Sequence, residues 1–337
     1  MESDLLPMPR GKNLRWAVAL FSLSSILSAC GSPASSPASG ASSTVHVVFA
    51  GSLEQLNDQF LGPAFEKSQH IHYQGRGGGS YGMAHEIASG TIPADIFESI
   101  GQGPIRSVGK SANPWAIAVA SSPLVLAYNP HSPYAHQLNL IRSGKKPFSD
   151  LFSILAQPRF KLGRTNPNTD PQGQAFVMAM DLAQKLYHLP RSMPQKILGP
   201  TTKGSEIYTE EGILSLLQSG GLDASSAFLS EAIQRHLTYI MFPSKLNFSN
   251  PQNAAWYSQA HLKLSNGTIV SGTPLSIDIT AIGHPPSSQA ISFLQFILSS
   301  QGRTLFRREG YSVFRPYVLG QTNKLPHALR TALQHAL

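Results

Sequence analysis

Apolar segments typical of buried strands alternate with segments of helical period along most of the chain. Residues 45–50 (VHVVFA) are β-branched and apolar and predict a buried strand, which ends at Gly51. Residues 53–69 follow with apolar positions at helical spacing. The second half repeats the pattern, with a strand predicted over 160–164 and a helix over 174–187. This alternation predicts an α/β fold with a mainly parallel sheet.

Small polar loops lie between several of these strands and helices. They occur at 50–53 (AGSL), at 75–80 (GRGGGS) and at 165–173 (TNPNTDPQG). In open α/β sheets ligands bind beyond the carboxyl ends of the strands. Helix N-termini there present N–H groups and a positive dipole end, which suit a small anion. A single serine in such a loop more often caps its helix, but three such loops together favour a shared anion site.

These loops resemble segments of a known family, the extracellular solute-binding proteins of ABC importers. The resemblance is to the archaeal-type molybdate/tungstate-binding group and covers most of residues 44–320. It rests on the Gly-Ser turns at 51–52 and 79–80 and on the ADI strand at 94–96. The GRTNPNTDPQG stretch at 163–173 is its most specific motif, and the helical run 291–305 adds to it.

The resemblance implies a type II periplasmic-binding-protein fold. Two α/β lobes would be joined by a two-strand hinge, with the ligand in the interlobe cleft. Residues 44–122 and 272–325 would form the first lobe, and residues 123–271 the second. The chain would be a monomer whose partners are a small oxyanion and an ABC permease in the membrane.

The resemblance also implies a set of ligand-binding residues. In the family the serine of each Gly-Ser turn hydrogen-bonds the oxyanion, which here means Ser52 and Ser80. The aspartate before proline, here Asp170, can contact the metal atom of the oxyanion. The other predicted ligand-binding residues flank these three in the motifs or lie on neighbouring strands: Gly51, Gly79, Asn166, Ser99 and Ser226.

One expected acid is missing from the sequence. Family members of this type also use a glutamate on the strand after a Leu-Asp pair, and the corresponding position here is Ala227. The six-coordinate site is therefore in question, and a tetrahedral anion held by hydroxyl and N–H groups is equally compatible. Molybdate or tungstate is the expected ligand, with sulfate or another small anion as the alternative. Arg76 and Arg164 flank two of the loops, where a solvated arginine is more common than an anion contact.

The N-terminus predicts export. Three basic residues precede a short apolar stretch at 16–27, which is too short to span a bilayer. The stretch ends in Leu27-Ser28-Ala29-Cys30, which resembles a bacterial lipobox. Residues 1–29 are therefore predicted to be a lipoprotein signal peptide. The exported protein would be lipidated at Cys30 and anchored to the outer face of the cell membrane, or it would be periplasmic. An ordinary secretory signal is the alternative. Residues 30–43 are rich in Gly, Ser and Pro and predict a flexible tether.

Composition narrows the class of protein further. Only 13% of the 337 residues are charged, and the net charge of +8 is scattered rather than clustered. Because a nucleic-acid surface needs clustered Lys and Arg, no nucleic-acid partner is expected. Cys30 is the single cysteine, so neither an internal disulfide nor a cysteine zinc site is possible. No cofactor, catalytic residue or resident metal is predicted.

Two rival interpretations remain at this stage. Residues 78–82 (GGSYG) fit the G-x-S-x-G motif, so an exported serine hydrolase could use Ser80 with Asp278 and His284. A divalent-metal carrier could use the His70 and His72 pair, although such a site needs three or four ligands.

Overall fold

The computed structural model describes residues 43–201 and 207–336. The predicted signal peptide, Cys30 and nearly all of the predicted tether lie outside these residues. The strands are β1 Thr44–Ala50, β2 His72–Gly78, β3 Ile96–Ile100, β4 Trp115–Ser121, β5 Leu124–Tyr128, β6 Leu162–Thr165, β7 Ile207–Tyr208, β8 Ala224–Phe228, β9 Thr238–Met241, β10 His261–Lys263, β11 Ile269–Ser271, β12 Ile277–Ala281 and β13 Ser312–Gly320.

Fourteen α-helices lie between and after these strands within the described residues. They are α1 Glu54–Leu56, α2 Gly62–Gln69, α3 Ser80–Ala88, α4 Gln102–Val108, α5 Ala135–Arg142, α6 Asp150–Leu155, α7 Pro171–Leu186, α8 Met193–Leu198, α9 Glu210–Gln218, α10 Leu229–Gln234, α11 Ala254–Tyr257, α12 Ser288–Leu298, α13 Ser300–Arg308 and α14 His327–His335. A 3-10 turn, Gly51–Leu53, joins β1 to α1, and a π-helical turn, Asn57–Leu61, joins α1 to α2.

The first sheet has six strands in the order β13-β4-β12-β3-β1-β2. β1 pairs in parallel with β2 and β3, whereas β12 is antiparallel to both of its neighbours. β3, β4 and β12 are buried along their whole length, because helices cover the sheet. We call this sheet with its helices lobe 1.

The second sheet has five strands in the order β7-β6-β8-β5-β9. β6 is parallel to β7 and β8, and β5 is antiparallel to β8 and β9. We call this sheet with its helices lobe 2. Both sheets are therefore mixed, and the expectation of a mainly parallel sheet is wrong. The antiparallel pairs come from β5 and β12, the first strands after the chain passes from one sheet to the other, and from β13, which is antiparallel to β4.

The chain passes between the two sheets twice. It leaves lobe 1 after β4 through Ser122 and Pro123 and enters β5 directly. It returns after β11 and enters β12, which lies between β4 and β3. The predicted two-lobe α/β fold is confirmed by these two sheets.

Two predicted loops are partly regular structure. Residues 75–78 continue β2 as an edge strand, each paired with β1 from Val47 to Ala50. The prediction of a loop over these residues is wrong; it rested on their glycine content, since glycine is rare in strands. These glycines leave room for the ring of Phe49, which lies 2.8 Å from where a Cβ of Gly77 would be. Helix α7 likewise begins at Pro171 rather than at residue 174, since proline fits the first turn of a helix.

No helix among the described residues is long and apolar enough to cross a membrane.

The loop before α7 is held close to the first turn of that helix. A Cβ on Gly173 would meet the carbonyl of Thr165 and would lie 2.9 Å from the backbone nitrogen of Pro167. Because these are backbone atoms, they cannot rotate away as a side chain could.

We predict that Gly173→Ala destabilises the protein by about 1–3 kcal/mol, because the added methyl group forces the loop and helix apart. Chemical denaturation monitored by circular dichroism measures this cost. Gly82→Ala is the matched control: it also lies in a helix, but a Cβ there meets nothing within 4 Å. Alanine is the better helix former, so Gly82→Ala should be neutral or slightly stabilising. Equal stability of the two variants would contradict this account.

Candidate ligand-binding cleft

Three serines lie at the carboxyl ends of the parallel strands of lobe 1. Ser52 lies in the 3-10 turn after β1, Ser80 is the first residue of α3 after β2, and Ser99 is the fourth residue of β3. Because β1, β2 and β3 run in the same direction, all three reach the same edge of the sheet. That edge faces lobe 2.

Ser52 is the buried hydroxyl without a protein partner in this group. It is 4% exposed, and its Oγ accepts and donates no hydrogen bond among the described residues. Its backbone carbonyl accepts a hydrogen bond from the Tyr311 hydroxyl at 2.6 Å, which fixes the turn. A buried hydroxyl is normally hydrogen-bonded, so an orphan one is a candidate ligand contact.

Ser80 and Ser99 also bond within lobe 1. The Oγ of Ser80 accepts from the backbone N–H of Ile100 at 3.3 Å, and its hydroxyl hydrogen is still available. The Oγ of Ser99 donates to the carbonyl of Gly101 at 2.7 Å and is fully buried. Ser99 thus supports the loop after β3, and its hydroxyl hydrogen is already used.

Asp170 begins α7 on the opposite side of the cleft, in lobe 2. Its Oδ1 accepts from the backbone N–H of Gln172 at 2.7 Å, so it caps the helix. Asn166 shapes the preceding loop: its carbonyl accepts from the N–H groups of Thr169 and Asp170, and its Oδ1 accepts from Asn168 N at 3.0 Å. Both predicted residues therefore have a structural role in this loop.

Ser226 is linked to the cleft by two residues that were not predicted from the sequence, Gln172 and Glu231. Its Oγ donates to the Oε1 of Gln172 at 2.9 Å, and the Nε2 of Gln172 donates to Glu231 Oε2 at 2.9 Å. The same Oε2 accepts from the backbone N–H of Phe228 at 2.6 Å. Glu231 is the third residue of α10, a position at which glutamate commonly reaches back to the helix start, and this spacing could have identified it.

The two lobes touch on both sides of these groups. The N–H groups of Tyr81 and Gly82 in α3 donate to the carbonyl of Thr169 at 2.9 and 3.4 Å. A Cβ on Gly79 would lie 2.8 Å from that carbonyl, so only glycine allows this approach. On the other side, Gln234 Nε2 donates to the Glu309 carbonyl at 3.0 Å.

Two of the cavities along this interlobe boundary are lined by predicted site residues. One, of about 350 Å³, is lined by Gly79, Asn166 and Asp170 together with the start of α9. The other, of about 450 Å³, is lined by Gly51 and Ser52 from lobe 1 and by Glu231 and Gln234 from lobe 2. The structure therefore brings Gly51, Ser52, Gly79, Asn166 and Asp170 to the boundary between the lobes.

Both arginines that flank the motifs contact protein groups in this structure. Arg76 pairs with Glu86 at 2.7 Å on the surface. Arg164 is buried and donates through Nη2 to the carbonyls of Pro200 and Thr201, at 2.6 and 3.3 Å. The Ala227 position, where the family would have a glutamate, is fully buried and packs with Val125 and Leu222.

Two buried acids in lobe 1, Glu98 and Asp278, have raised pKa values. Burial raises the pKa of Glu98 to about 7, although a hydrogen bond from Asn57 Nδ2 to its Oε2 at 2.8 Å opposes the rise. Burial likewise raises the pKa of Asp278 to about 7, against a hydrogen bond from Ser276. These groups keep a proton to higher pH than ordinary carboxyls, because the charged form is poorly solvated there.

Both rival interpretations lack the required geometry. β2 does run almost directly into α3 at Ser80, as a nucleophile elbow would, but His284 is bonded elsewhere. Its Nε2 lies 3.0 and 3.1 Å from the carbonyls of Lys110 and Ala112. His72 pairs with Glu66 at 2.6 Å, and the described residues contain no cluster of three or more His, Cys, Asp or Glu that could hold a metal.

The fold and cleft define a two-lobed solute-binding protein. The model of the bacterial extracellular solute-binding protein family matches residues 45–312, and the chain belongs to this family. Members of the family bind solutes rather than transform them, so the serine-hydrolase alternative is wrong.

Relatives and solved structures agree with this assignment. The chain is 28% identical over 299 residues to an uncharacterized solute-binding protein of Saccharolobus solfataricus, covering 82% of this chain and 72% of that protein. It is 26% identical over 302 residues to the molybdate/tungstate-binding protein WtpA of Thermococcus kodakarensis, covering 82% and 83%. The periplasmic molybdate-binding protein of Azotobacter vinelandii has the same fold, with a TM-score of 0.53, 17% identity and coverage of 79% and 98%.

The raised pKa of Glu98 makes the stability of the protein depend on pH. The folded protein holds this proton up to about pH 7, whereas an ordinary glutamate loses it near 4.5. Stability from this group is therefore complete at acid pH and is lost as the pH rises from 4.5 through 7.

We predict that Glu98→Gln, which can still accept from Asn57, raises the melting temperature at about pH 8 by roughly 2–6 °C and has little effect near pH 5. Differential scanning calorimetry at both pH values measures the difference. Glu86→Gln, at an acid paired on the surface, is the control and should shift the melting temperature equally at both pH values. A Glu98→Gln curve parallel to that of the wild type would count against the buried charge.

Proposed function

We propose that this protein captures a small oxyanion, molybdate or tungstate, for import by an ABC permease. The observation that carries the proposal is the hydroxyl of Ser52, which is buried at the interlobe boundary without a protein partner. The relative WtpA, named as a molybdate/tungstate-binding protein, supports the choice of anion. Sulfate or another small anion is the alternative within the same cleft.

The chemistry of the cleft fits an anion that has no proton to donate. Ser52 and Ser80 each have a hydroxyl hydrogen available, and a tetrahedral oxyanion offers only acceptors. Gly51 and Gly79 let the backbone come close to a ligand at the starts of the first 3-10 turn and α3. Asp170 and Asn166 would form the opposite wall in lobe 2, and Ser226 would act through Gln172.

Asp170 is compatible with two modes of binding. If the anion is molybdate or tungstate, a carboxylate oxygen of Asp170 contacts the metal atom of the ligand. If the anion is sulfate, whose sulfur accepts no further oxygen, the carboxylate repels it unless a proton intervenes. This difference favours molybdate and tungstate over sulfate.

The proposal includes capture outside the cytoplasm. The extracellular family to which the chain belongs supports export, and the lipobox-like sequence before Cys30 supports a lipid anchor. In this arrangement the predicted tether, residues 30–43, would hold a monomeric binding protein at the outer face of the cell membrane, near its permease. Closure of the two lobes on the anion would produce the form that the permease recognises.

We predict that Ser52→Ala lowers molybdate and tungstate affinity by about 1–3 kcal/mol with little loss of stability, since no protein partner is lost. Ser80→Ala should lower affinity to a similar extent and also lower stability, because the N–H of Ile100 loses its acceptor. Isothermal titration calorimetry with molybdate, tungstate and sulfate measures affinity, and thermal melting measures stability.

Ser107→Ala is the matched control for both variants. Its hydroxyl is exposed and donates to the carbonyl of Gly103 within α4, and Ser107 lines neither cavity that contains predicted site residues. It should bind every anion as the wild type does. Full affinity for all three anions in the Ser52→Ala, Ser80→Ala double variant would rule out this site.

We predict that Cys30→Ala releases the protein from the membrane. In cells expressing the full chain, wild-type protein should fractionate with membranes and incorporate a radiolabelled fatty acid, while the variant does neither. Ser28→Ala, which leaves a small residue before the cysteine, is the control. Soluble wild-type protein without label would contradict the anchor and favour an ordinary secretory signal.

A further inference from the structure

Glu231 has one carboxyl oxygen fixed by the protein and one directed elsewhere. Its Oε2 accepts two hydrogen bonds, from Phe228 N at 2.6 Å and from Gln172 Nε2 at 2.9 Å. Among the described residues its Oε1 has no hydrogen-bond partner, and the side chain lines the cavity of about 450 Å³ between the lobes. The protein therefore uses Oε2 to hold the carboxyl group in place and leaves Oε1 available to a ligand.

The two bonds decide where a proton on Glu231 would be. An oxygen that accepts two N–H groups is the carbonyl oxygen of a neutral carboxylic acid, because a hydroxyl oxygen is the weaker acceptor. The proton must then be on Oε1, so the side chain that lines the cavity has an O–H group to donate. The orphan hydroxyl of Ser52 lines the same cavity from lobe 1.

The surroundings favour this neutral form. Glu231 is 4% exposed, and burial, with the charge of Asp170 nearby, raises its pKa to about 8, although the bonds from Phe228 and Gln172 and the charge of Arg235 oppose the rise. Charged or titratable groups lie around it on every neighbouring element: Asp170 just before α7, Arg235 just after α10, Tyr311 before β13, Glu210 in α9, and Glu54 and Asp58 at the rim in lobe 1.

We propose that Glu231 determines anion specificity and affinity: as the neutral acid it donates Oε1–H to an oxygen of the bound anion, and as the carboxylate it repels that anion. This role rests on the proposed function of the cleft and extends it. The cleft then takes up an anion together with the proton of Glu231. A fully deprotonated oxyanion is the ligand class that such a donor selects.

The sign of the pH effect follows directly. Binding requires the protonated form, so affinity is complete below the pKa of Glu231 and is lost as the pH rises above it. Each further pH unit should weaken binding about tenfold, because one proton is linked to each anion. Molybdate and tungstate are themselves dianions throughout the neutral and alkaline range and contribute no proton of their own.

The experiment compares wild type with Glu231→Gln. The glutamine carbonyl can accept from Phe228 and Gln172, and its amide can donate to the anion at every pH. Calorimetric titration with molybdate and tungstate should show wild-type affinity falling at least about tenfold between about pH 7 and about pH 9.5. Glu231→Gln should bind at both pH values with less than about twofold change.

Asp58→Asn is the control for the slope, since Asp58 lies exposed at the rim of the same cavity and its Oδ1 accepts from the Tyr73 hydroxyl. It should keep the wild-type pH dependence. Glu231→Ala, which removes the donor and leaves the N–H groups of Phe228 and Gln172 unpaired, should bind weakly at both pH values. Thermal melting at each pH confirms that every variant remains folded.

Two outcomes separate the role of Glu231 from the function of the cleft. If wild-type protein binds an oxyanion with no pH dependence, or if folded Glu231→Gln keeps the wild-type slope, the role of Glu231 is wrong and the cleft assignment stands. If wild-type protein binds none of molybdate, tungstate and sulfate at either pH, the proposed function itself is wrong.

Discussion

The contact between the start of α3 and the carbonyl of Thr169 is the constraint on which the cleft depends. Two N–H groups at the start of a lobe 1 helix bond one backbone oxygen of lobe 2, and Gly79 makes room for it. Because both partners are backbone, its geometry is fixed by the two loops rather than by flexible side chains.

Behind that contact, the cleft contains hydroxyl groups and carboxyl groups, and the carboxyls accept hydrogen bonds from N–H groups of the protein. Asp170 is bonded to the start of α7, and the Glu231 carboxyl is held by Phe228 and Gln172. An anion entering such a site meets the serine hydroxyls as donors, and the acids do not repel it only if they carry protons or contact a metal atom. The arrangement thus links which anion is bound to how protons are distributed among these acids.

Much of this architecture could be predicted from local pattern. β1 begins within a residue of its predicted range and α7 ends within a residue of its own, because apolar runs and helical period carry that information. The extent of β2 could not be predicted, since its glycines form a strand only because β1 is beside them. The ligand loops were identified by motif, but Gln172 and Glu231 were not. The helix-start spacing could have identified Glu231 as a capping glutamate. Its hydrogen bond with Gln172 joins residues 59 apart in sequence, which no local pattern encodes.

The position of β12 has a consequence for how the molecule is made. This strand lies in the middle of the lobe 1 sheet, between β4 and β3, yet it follows the whole of lobe 2 in the chain. Until residue 281 has left the ribosome, β3 and β4 have no partner on their facing edges. Strand pairs between residues so far apart in sequence form slowly, because the long intervening chain must first be ordered. The completion of lobe 1 therefore waits until all of lobe 2 has been synthesised.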